Sequence, residues 1–75
     1  MQLMIDIDLD HDAFDGKHGI ESARILRKLA DQLECTEILE VPEGRSCQIF
    51  AYLYDSNGNY VGTCEVHADK KELLR

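Results

Sequence analysis

Aspartates 6, 8, 10, 12 and 15 fall within ten positions, and no lysine or arginine stands among them. Carboxylates so arranged can hold a divalent cation, present negative charge to a partner, or keep one face of a strand in water. A calcium loop requires D-x-D-x-D-G followed by a glutamate at its twelfth position. In the frame that begins at Asp8, Ala13 stands where the glycine belongs and Gly19 where the glutamate belongs. Residues two apart on a strand are also separated by about 6.7 Å, too far to share an ion unless the side chains bend together. Asp6, Asp8, Asp10, Asp12 and Asp15 therefore read as a solvated acidic face offered to a partner, with neither metal nor cofactor expected. The enzymatic alternative is a small metal-dependent hydrolase that uses these aspartates with His11.

The other groups able to do chemistry are scattered. His11, His18 and His67 do not stand at i, i+4 from another ligand on a helix, and no G-x-S-x-G nucleophile motif is present. They read as solvated loop histidines. Cys35, Cys47 and Cys64 are odd in number and include no C-x-x-C pair, which suggests neither a disulfide framework nor a zinc knuckle. Cys47 and Cys64 are expected on the inward side of a hairpin, as small core residues. No catalytic residue is assigned and the chain is expected not to be an enzyme.

Fifteen acidic against eight basic residues give a net charge of −7. That charge repels phosphate backbones unless the basic residues gather on one face. They do not gather: Lys17, Arg24, Arg27 and Lys28 follow one helix, Arg45 is isolated, and Lys70, Lys71 and Arg75 lie near the end. A basic site on a protein is the expected partner, with no direct nucleic acid and no membrane. No apolar run approaches the eighteen or so residues of a membrane span, and Asp6 and Asp8 occupy the place where a signal peptide carries positive charge. A cytoplasmic location follows as an expectation.

Seventy-five residues make a single small α+β domain, 1–75, with a thin core. Leu3, Ile5, Ile7 and Leu9 alternate with Met4, Asp6 and Asp8, the period of a half-buried strand over residues 3–9. Asp12 to Gly19 reads as a loop whose Phe14 folds back beneath the following helix. Ile20, Ala23, Leu26, Leu29, Ala30 and Leu33 recur at three- and four-residue steps and mark an amphipathic helix to about Glu34. Ile38, Leu39 and Val41 suggest a short edge strand near 37–41, stopped by Pro42 and Gly44.

Two β-rich runs then flank Asn57-Gly58, a strong hairpin signal. A two-residue loop sets Leu53 opposite Gly62, Ala51 opposite Cys64 and Ile49 opposite Val66. Alternatively, Asp55 starts a type I turn with Gly58 in a bulge, which moves the register by one. In the first register Phe50, Tyr52, Tyr54 and Val61 share the face turned away from the helix, as a partner surface or a homodimer interface. The expected core is Leu3, Ile5, Ile7, Leu9, Phe14, Ile20, Ala23, Leu26, Leu29, Leu33, Ile49, Ala51, Leu53, Cys64 and Val66. The fold expected is β-α-β-β, a three-stranded, mostly antiparallel sheet with one helix packed on one face.

The segments "DHDAFDG", "ARILRKLADQL" and "DSNGNYVGTCEV" together resemble a group of small phage and prophage accessory proteins of unknown activity. Their pattern is a D-x-A-F loop, an A-R-I-L-R-K-L-A-D helix and a D-x-N-G-N-x-V-G-x-x-E-V hairpin. This chain departs from it in a longer 35–45 segment and an aspartate-rich first strand. The resemblance implies a host bacterial cytoplasm and transfers no catalytic residue. At the level of class it points to a non-enzymatic acidic binding protein that inhibits a host defence or nucleic-acid-handling protein; a structural homodimeric accessory protein, read from the aromatic face, is the alternative.

Overall fold

Leu3, Ile5 and Ile7 alternate with Gln2, Met4 and Asp6 along β1, which spans Gln2–Ile7 in the computed structural model; residues 1–68 are described. The strand stops at Ile7, two residues before Leu9. Beyond it the Asp8 N–H donates to the Val61 carbonyl at 2.7 Å, and the Asp8 carboxylate accepts the Asp10 N–H at 3.0 Å. This Asx turn takes the backbone out of the ladder. Leu9, expected in the core, is 40% exposed as a result.

A short 3-10 turn, Asp12–Phe14, delivers Phe14 to the interior, where it is fully buried. Helix α1 follows at His18–Glu34, then β2 at Cys47–Tyr54 and β3 at Tyr60–His67. The sheet order is β1-β3-β2 and both pairings are antiparallel. The architecture is thus the α+β arrangement β-α-β-β with one helix on one face. Residues 37–41 form no strand, and Ile38 is 70% exposed; a turn closed by the Arg45 N–H on the Pro42 carbonyl at 3.1 Å leads into β2.

The helix buries a different stripe from the one its apolar residues suggest. Glu21, Ile25 and Leu29 are buried at four-residue steps, with Leu33 half-buried beyond them, whereas Ile20 and Leu26 face solvent. Ile20 and Leu26 are thereby corrected from core to surface, and Ile25 takes their place. Two overlapping apolar stripes share Leu29 and Leu33, and the charge at Glu21 disguised the true one.

The hairpin closes on residues Asp55–Asn59. The Gly58 N–H donates to the Asp55 carbonyl at 3.0 Å and Gly58 adopts φ +84°, the bulged alternative rather than the two-residue loop. Tyr54 accordingly pairs with Tyr60. A bulge at Val61 then restores Leu53 opposite Gly62 and Ala51 opposite Cys64, and a second bulge at Phe50 sets Ile49 opposite Glu65 and Gln48 opposite Val66. Each bulge changes which face the strand beyond it presents.

Two corrections follow from the bulges. Val61 is buried and Phe50 packs against the core cluster, so neither lies on the aromatic face. Ile49 and Cys47 move the other way, to the uncovered face. The core consists of Ala13, Phe14, Ile25, Leu29, Leu53, Val61, Cys64 and Val66, with Ile7, Leu33, Phe50 and Ala51 packed around it. Leu3 and Ile5 point to the helix side, yet they are 44% and 43% exposed because α1 packs over β2 and leaves β1 uncovered. Gly62 has a definite reason to be glycine: a Cβ there would overlap the Asp6 carbonyl oxygen and stand 3.0 Å from the Ile7 Cα.

Candidate functional site

The sheet face opposite the helix is built from cross-strand rows, since directly paired residues share a face. Gln2, His67 and Cys47 form one row, Met4, Glu65 and Ile49 the next, and Asp6, Thr63 and Tyr52 the third. Tyr54 and Tyr60 close the face at the hairpin end. Tyr52, Tyr54 and Tyr60 are each more than half exposed. The Tyr60 ring lies 5.9 Å from that of Tyr52, tilted, and 6.2 Å from that of Tyr54, edge to face, so the three rings form one amphipathic patch. Tyr60 was not foreseen; only the bulged turn, which sets it opposite Tyr54, could have revealed it.

Asp6 joins this face through its pairing with Thr63, beside Tyr52. Asp8, Asp10, Asp12 and Asp15 continue from the same end of β1, where Asp8 pairs with Val61 next to Tyr60, and all are exposed. They do not converge on an ion-holding group: among the described residues, the aspartates of 6–15 form no set of three clustered ligand atoms. His11 Nε2 lies 3.7 Å from an Asp8 carboxylate oxygen, a loose contact. Asp6 thus shares the tyrosine face and Asp8 follows it at the strand end, whereas the Asp12–Phe14 turn packs against α1.

At the far end of the same face the chemistry is denser. The Thr63 hydroxyl donates to Glu65 Oε2 at 2.8 Å, and His67 Nε2 lies 3.0 Å from Glu65 Oε1. The Thr63 hydrogen bond first, and the His67 contact second, hold the Glu65 carboxyl below its usual range. Cys47, paired directly with His67, completes a trio: one ligand atom each from Cys47, Glu65 and His67 lie within 4.8 Å of one another, all half-buried. A shallow depression beside them is lined by Arg45, Cys47, Gln48, Ile49 and Tyr52. His67 is thus a strand residue rather than a loop residue, and Cys47 is not a core residue. Cys64 is, with its thiol pushed up by burial. The spacing E-x-H on a strand was a readable signal for Glu65 and His67; Cys47 depends on the Phe50 bulge.

One further polar cluster is structural. Glu21 is almost fully buried and receives both Nε and Nη2 of Arg24 at 3.0 Å and the Ser56 N–H at 2.7 Å. The hydrogen bond from Arg24, opposed by burial and reinforced by Ser56, lowers its carboxyl to about 2. Asp55 is pushed up by burial, but hydrogen bonds from Asn59 and Asn57 outweigh that and leave it below its ordinary value. These groups fasten the hairpin turn to the helix. No helix among the described residues is long and apolar enough to cross a membrane. Comparison with known proteins adds no relative: no family model, no curated protein and no solved structure matches the chain.

Proposed function

We propose that the chain is a non-enzymatic binding protein whose uncovered sheet face engages a basic site on a partner protein. The observation that carries this reading is the sharing of one uncovered sheet face by three exposed tyrosines and Asp6, on a chain of net charge −7. Arginine and lysine side chains stack on tyrosine faces, worth about 0.5–2 kcal/mol each, and pair with neighbouring carboxylates. Their aliphatic stems would lie along Met4 and Ile49. The resemblance to small phage proteins would make the partner a host protein, and the basic groove of a nucleic-acid-handling enzyme offers the required charge. A second copy of this chain is the weaker occupant, since Phe50 and Val61 have left the face and like charge opposes pairing.

Pull-down from bacterial lysate at low and high salt tests the reading, with the Tyr60→Ala variant and the triple variant Asp6→Lys, Asp8→Lys, Asp10→Lys as probes. The captured protein is expected to be basic at its site, to elute as salt rises, and to be lost with either variant. A partner retained by both variants at high salt refutes the assignment of this face.

A further inference from the structure

We propose that Cys47, Glu65 and His67 form a binding site for a borderline-soft divalent metal ion of the zinc class, on the uncovered face beside the tyrosine patch. The three side chains come from paired strands, Cys47 directly opposite His67, with Glu65 two residues along the same face of β3. A hydrogen-bonded sheet fixes such positions far better than a loop does. Their ligand atoms already lie within 4.8 Å of one another.

The geometry suits a tetrahedral ion. Zinc–oxygen and zinc–nitrogen bonds of about 2.0 Å set neighbouring ligand atoms about 3.3 Å apart. His67 Nε2 and Glu65 Oε1 stand at 3.0 Å, close to one edge of that tetrahedron. The ion would take the place of the hydrogen bond between them, with the Cys47 sulfur already within 4.8 Å of both atoms. Binding releases the Cys47 thiol proton, because the thiolate is the ligand.

The surroundings match what metal ligands need. Ligating carboxylates are themselves held by hydrogen bonds, and the Thr63 hydroxyl holds Glu65 Oε2 at 2.8 Å, leaving Oε1 for the ion. One sulfur, one nitrogen and one oxygen donor select zinc, cobalt or a similar ion over calcium and magnesium, which take oxygen ligands. Three protein donors leave a fourth position for water or for a group from a partner. This site is independent of the basic-partner reading and stands or falls separately.

The test uses the full chain without an affinity tag. Titration with cobalt(II) is expected to reach an end point at one ion per chain, with a thiolate-to-cobalt charge-transfer band and the intense visible bands of a tetrahedral site. Cys47→Ser removes the charge-transfer band, and Thr63→Val weakens binding about 10- to 100-fold. Cys35→Ser, at an exposed cysteine elsewhere, changes neither. Circular dichroism of each metal-free variant establishes that it is folded. A second readout needs no variant: saturating zinc is expected to slow alkylation of Cys47, followed by mass spectrometry, while Cys35 reacts as before. A charge-transfer band that survives Cys47→Ser, or a Cys47 alkylation rate unchanged by zinc, overturns the site.

Discussion

The Glu21 carboxylate accepts the Ser56 backbone N–H at 2.7 Å, joining the first turn of the helix to a hairpin turn 35 residues away. Arg24 completes the arrangement by holding both Glu21 oxygens and reaching the Tyr54 carbonyl at 3.4 Å. A buried carboxylate so fully satisfied helps define the one position the turn can take against the helix.

Its pH dependence has a definite sign. Glu21 falls from an ordinary 4.5 to about 2 in the folded protein. A lowered carboxyl stabilises the fold fully above its unfolded pKa, and that contribution disappears as pH drops through the folded value. The melting temperature should therefore decline between about pH 4.5 and pH 2. Glu21→Gln should melt lower than the parent at pH 7, with the gap narrowing towards pH 2. A gap that stays constant over this range contradicts the assignment.

The true helix stripe is tested by neighbouring residues. Ile25 is 3% exposed and Leu26 is 41% exposed. Ile25→Ala should cost about 2–5 kcal/mol in chemical denaturation, as a buried aliphatic truncation does. Leu26→Ala should cost well under half as much. Equal losses would mean that both stripes are buried.

Gly62→Ala should be among the most damaging single changes in the sheet. The added methyl group meets the Asp6 carbonyl, which is backbone and cannot swing aside. Hydrogen exchange is expected to show loss of protection across the β1–β3 pairing before β2–β3, since the clash lies on the β1 side. Undiminished protection in β1 would refute the close approach.

Tyr60→Ala should leave the fold nearly intact. Its ring is exposed and it makes one tilted and one edge-to-face ring pair, so the loss expected is about 1 kcal/mol. Thermal melting checks this and separates loss of a partner from loss of structure.

How much of this the sequence determined follows from which forces are local. Alternation along Leu3, Ile5 and Ile7, the burial of Phe14 and the turn chemistry of Asp55 to Gly58 are each decided by residues close in the chain. They suffice for the order β-α-β-β, whereas Ala51 meets Cys64 only because the bulge at Val61 offsets the shift made by the turn. The buried face of the helix was not legible, because Glu21 reads as a surface charge until the Ser56 N–H and Arg24 satisfy it. The bulges were not legible either. Only packing decided that Phe50 and Val61 turn inward, and with them that Cys47 arrives opposite His67. Coverage of the sheet is likewise a tertiary matter: a helix is about 10–12 Å across and strands lie about 4.8 Å apart, so one helix shelters roughly two strands. Placed over β2, α1 leaves Leu3 and Ile5 of β1 open, although their pattern alone marks them as core.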